Sequence, residues 1–110
     1  MVELSRFDVL LTTLDPTVGL ELHKTRPCLV MSPDSMNKSK LDTIIIAAMT
    51  TRIREHYPTR VKVEFQGKHG QVALDQIRTI DKDRNIKRLG NIKAQAVKDE
   101  ILRILPVIFT

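Results

Sequence analysis

The most apolar segment of the chain, residues 43–49, restricts the fold more than any other feature. Three consecutive isoleucines, Ile44, Ile45 and Ile46, are β-branched and favour an extended strand over a helix. A run this apolar is expected to form the central strand of a sheet. It is far shorter than the roughly 20 residues that a helix needs to cross a bilayer, so we expect no membrane-spanning segment and no membrane partner.

Shorter strand-like segments lie on both sides of this run. They combine β-branched residues with turn signals at their ends. The predicted strands cover residues 8–14, 28–32, 61–65, 71–74 and 86–90, with residues 75–81 also extended. Residues 66–70 are predicted to connect a hairpin, residues 82–85 to form a turn, and Pro33 to begin a short helical turn that ends near Asn37.

The C-terminal segment has helical periodicity. Its apolar residues repeat at intervals of three and four and form one stripe: Val97, Ile101, Ile104, Leu105 and Ile108. Pro106 is expected to end or kink this helix, because proline has no N–H to donate. Short strands followed by one helix predict a mainly β fold with a C-terminal α-helix, arranged as a small, strongly curved antiparallel barrel.

Composition narrows the class of protein. A chain of 110 residues, with 42% hydrophobic and 28% charged residues, is expected to be one globular domain, residues 1–110. Its net charge of +5 favours an anionic partner such as nucleic acid, although a basic surface that only aids solubility remains an alternative. Cys28 is the only cysteine, which excludes an intramolecular disulfide, and we expect a buried core thiol. Residues 1–6 contain no apolar signal core, so we expect a cytoplasmic protein.

A long polar segment separates the first two predicted strands. Loops of this length in small domains are often functional. Arg26 lies at the end of the segment, directly before Pro27 and the second strand. Strand backbone would therefore hold the Arg26 guanidinium in place, and the candidate site begins there.

Several kinds of chemistry lack their usual sequence motif. The three histidines have no metal-ligand spacing and one cysteine cannot build a structural zinc site, so we expect no metal and no cofactor. The glycines are scattered and form no phosphate-binding loop. No Gly-x-Ser-x-Gly motif is present, although residue counts alone still allow a Ser-His-Asp arrangement.

Polar residues at predicted strand ends remain as candidates: Arg26, Thr50 or Thr51, Asp75 and Arg78. Their types suit RNA cleavage without a metal. RNA carries its own nucleophile, the 2′-hydroxyl, so an enzyme needs a base, an acid and a cation for the charge that develops on phosphorus. Arginine suits the last role because its planar donors can bind two phosphate oxygens.

Four blocks of sequence, in this order and spacing, resemble the MazF/PemK (Kid-like) toxin family. They are residues 14–19 (Leu-Asp-Pro-Thr-Val-Gly), residues 25–27 (Thr-Arg-Pro), residues 48–50 (Ala-Met-Thr) and residues 74–82 (Leu-Asp-Gln-Ile-Arg-Thr-Ile-Asp-Lys). The resemblance covers nearly the whole chain. It implies an SH3-like small barrel of the CcdB/PemK plasmid maintenance toxin type, which forms a homodimer.

The same resemblance implies a function. The protein would be the toxin of a type II toxin–antitoxin system, a sequence-specific endoribonuclease (mRNA interferase) that cuts single-stranded mRNA without a metal and inhibits growth. Its products would be a cyclic phosphate or 3′-phosphate and a 5′-hydroxyl. Its protein partner would be a cognate antitoxin whose acidic, partly disordered tail competes with RNA.

Residue roles follow from the matching positions. The catalytic residues implied are Arg26, which acts on the phosphate and in some accounts as the acid, Thr50, which lies near the scissile phosphate, and Asp75, the general base of the Kid-like branch. The RNA-binding residues expected are Glu21, His23, Lys24, Thr51, Arg52, Arg54, Gln76 and Arg78. Arg78 and Glu21 are equally plausible as structural anchors, and His23 as a solvated loop residue.

Three positions depart from the family pattern: the first strand, which usually opens with Gly-Asp, reads Phe7-Asp8 here, and two further differences concern the Kid-like branch. That branch has a histidine where this chain has Leu20, and a basic residue where this chain has Ala73. Both departures remove candidate acid or phosphate-binding groups and leave the acid and base unassigned. Two alternatives therefore stay open: a non-catalytic toxin of the same fold that inhibits a protein target, as CcdB toxins inhibit a topoisomerase, and a degenerate member that only binds RNA.

Overall fold

A computed structural model describes residues 3–14 and 25–110, with the backbone alone at Ile86. Its strands are β1 (Asp8–Thr13), β2 (Thr25–Val30), β3 (Thr43–Thr50), β4 (Arg60–Phe65), β5 (Lys68–Asp81) and β6 (Asn85–Asn91). Two α-helices, α1 (Asp34–Asn37) and α2 (Gln95–Ile108), and a 3₁₀ turn at Lys82–Arg84 complete the described elements.

The six strands form one antiparallel sheet in the order β4-β5-β3-β2-β1-β6. The sheet curls until its two outer strands approach each other. The Gln66 amide donates to the Leu89 carbonyl at 3.2 Å, and the Phe65 ring lies against Gly90. The result is a β half-barrel with a C-terminal helix, which confirms the predicted mainly β, barrel-like fold.

Strand β3 has the central place that its sequence predicted, between β5 and β2. Its side chains alternate between two buried clusters on opposite faces of the sheet. Ala47 and Met49 belong to the cluster inside the half-barrel, which α2 covers with Ile101 and Ile104. The other face has its own cluster: Leu4, Leu10, Leu14, Cys28, Val30, Ile44, Ile46, Ala48 and Ile80.

The β4–β5 hairpin is tighter than predicted. The turn contains only Gln66 and Gly67, with φ angles of 53° and 77°, instead of the five residues 66–70. Positive φ at both central residues is typical of the two-residue turns that match the twist of a hairpin. Lys68 therefore already pairs with Phe65, and β5 continues without a break to Asp81.

Strand β2 begins earlier than predicted, at Thr25 rather than residue 28, so Arg26 lies inside the strand. Pro27 pairs with Leu11 of β1, whereas pairing with β3 starts only at Cys28. Pro27 thus lies where the strand has one neighbour, and its missing N–H removes no bond to β3. The short helical turn predicted after Pro33 is confirmed as α1.

Helix α2 does not end at Pro106, contrary to the prediction, but continues to Ile108. Pro106 is the third-last residue of the helix, so its missing N–H affects only the last turn. Leu105 and Ile108 pack against the core inside the half-barrel and hold that turn in place. Packing therefore outweighs the missing hydrogen bond.

Candidate active site

Arg26 and Thr50 lie on neighbouring strands and on the same face of the sheet. Cys28 of β2 pairs with Ala48 of β3. Arg26 precedes Cys28 by two residues and Thr50 follows Ala48 by two, so both lie just beyond the last paired residues and share the parity of one face. Arg26 Nη1 also donates to the carbonyl of Met49, the residue before Thr50. Two of the three predicted catalytic residues are therefore close together.

Both residues line a cavity of about 220 Å³. Thr51, at the start of the β3–β4 loop, lines it as well. The other described lining residues come from β2 to β6 and the β4–β5 turn: Pro27, Met49, Val63, Phe65, Gln66, Lys68, His69, Gly70, Gln71 and Leu89. Apolar strand residues and cationic or polar groups at the rim suit a substrate that carries both bases and phosphates.

A second, larger cavity of about 580 Å³ lies between β4 and the start of α2. Its described lining contains none of the predicted site residues. We place the candidate active site in the smaller cavity, because only there do a guanidinium and a hydroxyl from two central strands converge.

Local hydrogen bonds orient the two side chains. Arg26 Nη1 donates to the Met49 carbonyl at 3.4 Å, next to Thr50. The Thr50 hydroxyl oxygen accepts a hydrogen bond from the Arg52 N–H at 3.1 Å. A hydroxyl that accepts one hydrogen bond still has its own proton to donate, so Thr50 is suited to contact a phosphate oxygen.

The sheet beneath Arg26 is closed to solvent. Cys28 is fully buried, as predicted, and burial raises the pKa of its thiol to about 12, against the opposing effects of the Thr12 hydrogen bond and the Arg26 and Arg78 charges. A thiol of this kind stays protonated at neutral pH. Cys28 is thus a core residue.

The β3–β4 loop, residues 51–59, carries three of the predicted RNA-binding residues: Thr51, Arg52 and Arg54. Thr51 and Arg52 are exposed and Arg54 is half-buried. The Arg60 guanidinium lies over the Tyr57 ring, 5.1 Å from its centroid, at the end of the loop.

Asp75 does not line the Arg26–Thr50 cavity. Its carboxylate accepts hydrogen bonds from Arg60 Nε at 2.8 Å, Arg60 Nη2 at 3.2 Å and the Thr59 hydroxyl at 3.0 Å. Partial burial acts to raise the pKa of Asp75, but the Arg60 and Thr59 hydrogen bonds, a backbone N–H and the Arg60 charge together hold it below its ordinary value. Asp75 is therefore a stabilised carboxylate of low basicity that ties the end of the β3–β4 loop to β5.

The remaining predicted residues are placed as follows. Arg78 is half-buried and donates to the Leu14 carbonyl at 3.1 Å, which fits the structural anchor foreseen as its alternative role. Gln76 is half-buried on β5. Glu21, His23 and Lys24, together with Leu20, lie outside the described residues.

Sequence reasoning missed Gln71. Its side chain is buried on β5, in register with Thr50, and binds the backbone of Arg54 in the β3–β4 loop. The available signal was a glutamine followed at once by the apolar run Val72, Ala73 and Leu74. A polar side chain at a buried strand position needs hydrogen-bonding partners.

Within residues 3–14 and 25–110, no group of three or more His, Cys, Asp or Glu side chains is arranged to hold a metal ion. In the same part of the chain, no helix is long and apolar enough to span a membrane.

Comparison with known proteins agrees with this architecture. Residues 5–109 match the model of the PemK-like, MazF-like toxins of type II toxin–antitoxin systems. The chain belongs to this family. It is 35% identical over 99 residues to the endoribonuclease MazF of Staphylococcus saprophyticus, a match that covers 86% of this chain and 82% of the relative.

Solved structures of MazF toxins share the fold. MazF from Deinococcus radiodurans superposes with a TM-score of 0.83 at 23% identity, over 99% of this chain and 98% of that one. An endoribonuclease from a mycobacterial species, solved in complex with its cognate antitoxin, gives a TM-score of 0.77 at 24% identity, over 96% and 93% of the two chains. The predicted family, fold and class of function, a MazF-type endoribonuclease toxin, are confirmed, and a non-catalytic toxin is not favoured.

Proposed function

We propose that this MazF-type toxin cuts single-stranded RNA at short sequences, without a metal ion, in the cavity that Arg26 and Thr50 share. The observation that carries the proposal is that a guanidinium and a hydroxyl from neighbouring strands line one cavity, with Arg26 bonded to the Met49 carbonyl beside Thr50. Both groups donate hydrogen bonds, and a phosphodiester presents oxygens that accept them.

In the proposed step, the 2′-oxygen of the substrate attacks the adjacent phosphorus and the bond from phosphorus to the 5′-oxygen breaks. The products are a 2′,3′-cyclic phosphate and a 5′-hydroxyl. A base takes the 2′-hydroxyl proton and an acid protonates the leaving 5′-oxygen, so no other reactant is required. Arg26 stabilises the negative charge that develops on the phosphate oxygens, and Thr50 donates to one of them.

Asp75 has two candidate roles: general base of the reaction, or anchor of the β3–β4 loop. The family resemblance assigns the base to Asp75, and this assignment stays a prediction. Its low pKa and its two hydrogen bonds with Arg60 support an anchoring role instead, because an efficient general base has a pKa near the working pH. We propose that Asp75 anchors the loop, and the Asp75→Asn variant separates the two roles.

RNA is proposed to bind along the rim of the cavity. Thr51, Arg52 and Arg54 would contact it from the β3–β4 loop, and Gln76 from β5. The predicted residues outside the described part of the chain, Glu21, His23 and Lys24, would contact it from the β1–β2 side. The net charge of +5 supports this binding, because Lys and Arg side chains release counterions from the phosphates that they contact.

The test is a cleavage assay on single-stranded RNA in excess EDTA, with the 5′-ends of the products mapped. We expect cleavage at recurring short sequences and 5′-hydroxyl ends. A strict need for a divalent metal ion, or 5′-phosphate ends, would overturn the mechanism. Uncut RNA that is nevertheless bound would favour the degenerate RNA-binding alternative.

The proposed protein partner is a cognate antitoxin. One solved relative is in complex with its own antitoxin, and the basic charge of this chain suits an acidic tail. Such a tail would occupy the rim of the cavity and compete with RNA. The cytoplasm, where mRNA is present, is the proposed location.

The protein is also proposed to act as a homodimer. Exposed apolar side chains on and after α2, among them Leu102, Val107 and Phe109, support a protein–protein interface at this end of the chain. Phe109 is 75% exposed. Sedimentation over a range of concentrations should show a dimer in wild-type protein. A monomer at all concentrations would contradict the proposal.

A further inference from the structure

Gln71 is a buried polar side chain of β5, 2% exposed, in the wall of the candidate active-site cavity. It pairs in register with Thr50 across β3 and β5. Burial of an amide side chain is unfavourable unless its donor and acceptor both find partners. The hydrogen-bond partners of the Gln71 amide therefore show which part of the protein Gln71 holds in place.

Both groups of the Gln71 amide bind the backbone of one loop residue. The Arg54 N–H donates to Gln71 Oε1 at 3.0 Å, and Gln71 Nε2 donates to the Arg54 carbonyl at 3.4 Å. In an antiparallel sheet, a neighbouring strand binds a residue through the same two hydrogen bonds, one to its N–H and one to its carbonyl. Here a side chain provides both. It fixes the position of Arg54 in the middle of the loop relative to β5, whose Leu74 N–H also donates to the Thr59 carbonyl at the end of the loop, at 3.0 Å.

Gly70, the residue before Gln71, adds a second contact at the beginning of the same segment. A Cβ atom at position 70 would lie 2.4 Å from the Thr50 carbonyl oxygen, so β5 approaches the end of β3 very closely there. Consecutive residues of β5 thus contact both ends of residues 50–54. That segment carries the predicted catalytic Thr50 and the predicted RNA-binding residues Thr51 and Arg52.

We propose that Gln71 is a positioning residue for RNA binding: it holds residues 51–54 so that Arg52 and Arg54 face the substrate. The proposal rests on the proposed RNA cleavage. Gln71 contacts the backbone of the loop rather than the reacting atoms. Loss of its amide should therefore weaken RNA binding, whereas Arg26 and Thr50 keep their positions on the strands.

The first variant is Gln71→Leu, which keeps a side chain of similar size and removes both hydrogen bonds. The Arg54 N–H then loses its partner, whereas the Arg54 carbonyl still accepts from the Tyr57 N–H at 3.3 Å. We expect KM for a single-site RNA to rise about tenfold and kcat to change by less than about twofold. A fall in kcat of about tenfold, with KM unchanged, would overturn the proposal. Gln95→Leu on α2, where the exposed Gln95 amide donates to the Asp99 carboxylate at 2.9 Å, is the matched control.

The second measurement separates positioning from a general loss of stability. In an Arg52→Ala/Arg54→Ala background the loop has no guanidinium left to orient, so Gln71→Leu should raise KM by less than about twofold. A full tenfold rise in that background would show that Gln71 acts elsewhere and would contradict the proposal. Gln71→Met replaces Gln71→Leu if the latter does not fold.

Hydrogen exchange of the wild-type protein tests the contact without any variant or activity. The Arg54 amide should exchange at least about tenfold more slowly than the amide of His56, in the exposed part of the same loop. Equal exchange of the two amides would overturn the proposal. A protein with a protected Arg54 amide but no cleavage in EDTA would instead leave the positioning contact in place and refute the proposed function.

Discussion

The candidate site has two parts that are built in different ways. Arg26 and Thr50 lie on central strands, held by the pairing of β2 with β3 above a buried face of the sheet. Arg52 and Arg54 lie on the β3–β4 loop, which is tied to β5 by polar side chains. Gln71 holds the middle of this loop and Asp75 holds its end.

This difference separates positions that must be exact from positions that must adapt. A group that stabilises charge at phosphorus gains most from a rigid backbone, because reorganisation would reduce its effect. Groups that bind the flanking RNA can sit on a loop, where a few hydrogen bonds set their position. We therefore expect changes in the strand part to lower kcat and changes in the loop part to raise KM.

The largest effect is expected for Arg26→Ala. Removal of the guanidinium that stabilises the phosphate charge should lower kcat about 100- to 1,000-fold with little change in KM. Cleavage rates under saturating RNA measure this. Arg103→Ala, which removes an exposed arginine of α2 paired with Glu100, is the matched control and should leave kcat unchanged. Full activity of Arg26→Ala would refute the strand part of the site.

A smaller effect is expected for Thr50→Val. This variant keeps the shape of the side chain and removes the hydroxyl that accepts from the Arg52 N–H. Loss of one hydrogen bond to a charged phosphate should lower kcat about 10- to 50-fold. Thr43→Val at the other end of β3 makes the same change away from the cavity and should have no effect. Equal rates for both variants would exclude Thr50 from the reaction.

The smallest effect on cleavage is expected for Asp75→Asn. If Asp75 anchors the loop through Arg60 and Thr59, kcat should fall less than about tenfold, whereas loss of a general base lowers it about 100-fold or more. A fall of the larger size would restore the base role and contradict the anchoring role.

The same variant has a signature in the pH dependence of stability. The folded pKa of Asp75 is below its ordinary value of 3.8, so the unfolded chain binds more protons between the two values. The free energy of unfolding of the wild type should therefore fall as the pH drops through this window. Asp75→Asn should lack that part of the fall, which denaturant titrations from about pH 5 down to about pH 2 can measure; identical slopes would contradict it.

The strand part was partly predictable from local sequence. Three consecutive isoleucines, Ile44 to Ile46, identify β3, and Thr50 follows that apolar run directly. The pairing of Cys28 with Ala48 is not local, and Arg26 was expected before β2 rather than inside it. The predicted end of α2 was wrong, because core packing determines where that helix ends. Pro106 remains helical because Leu105 and Ile108 are held by the core, which its own sequence neighbourhood does not reveal.

The loop part was not predictable to the same degree, because its anchors are far apart in sequence. Gln71 and Arg54 are 17 residues apart, and Asp75 and Arg60 are 15 apart. Nothing in the local pattern of either strand pairs a particular polar side chain with a particular loop backbone. Resemblance could assign Asp75 a role but could not show that Arg60 already binds its carboxylate.

The division between strand and loop is tested most directly by steady-state kinetics of two variants on one RNA. Arg26→Ala should lower kcat by about 100-fold or more with KM nearly unchanged, whereas Arg52→Ala/Arg54→Ala should raise KM about tenfold and keep kcat within about threefold. A loop variant that lowers kcat as far as Arg26→Ala, with KM unchanged, would contradict the account.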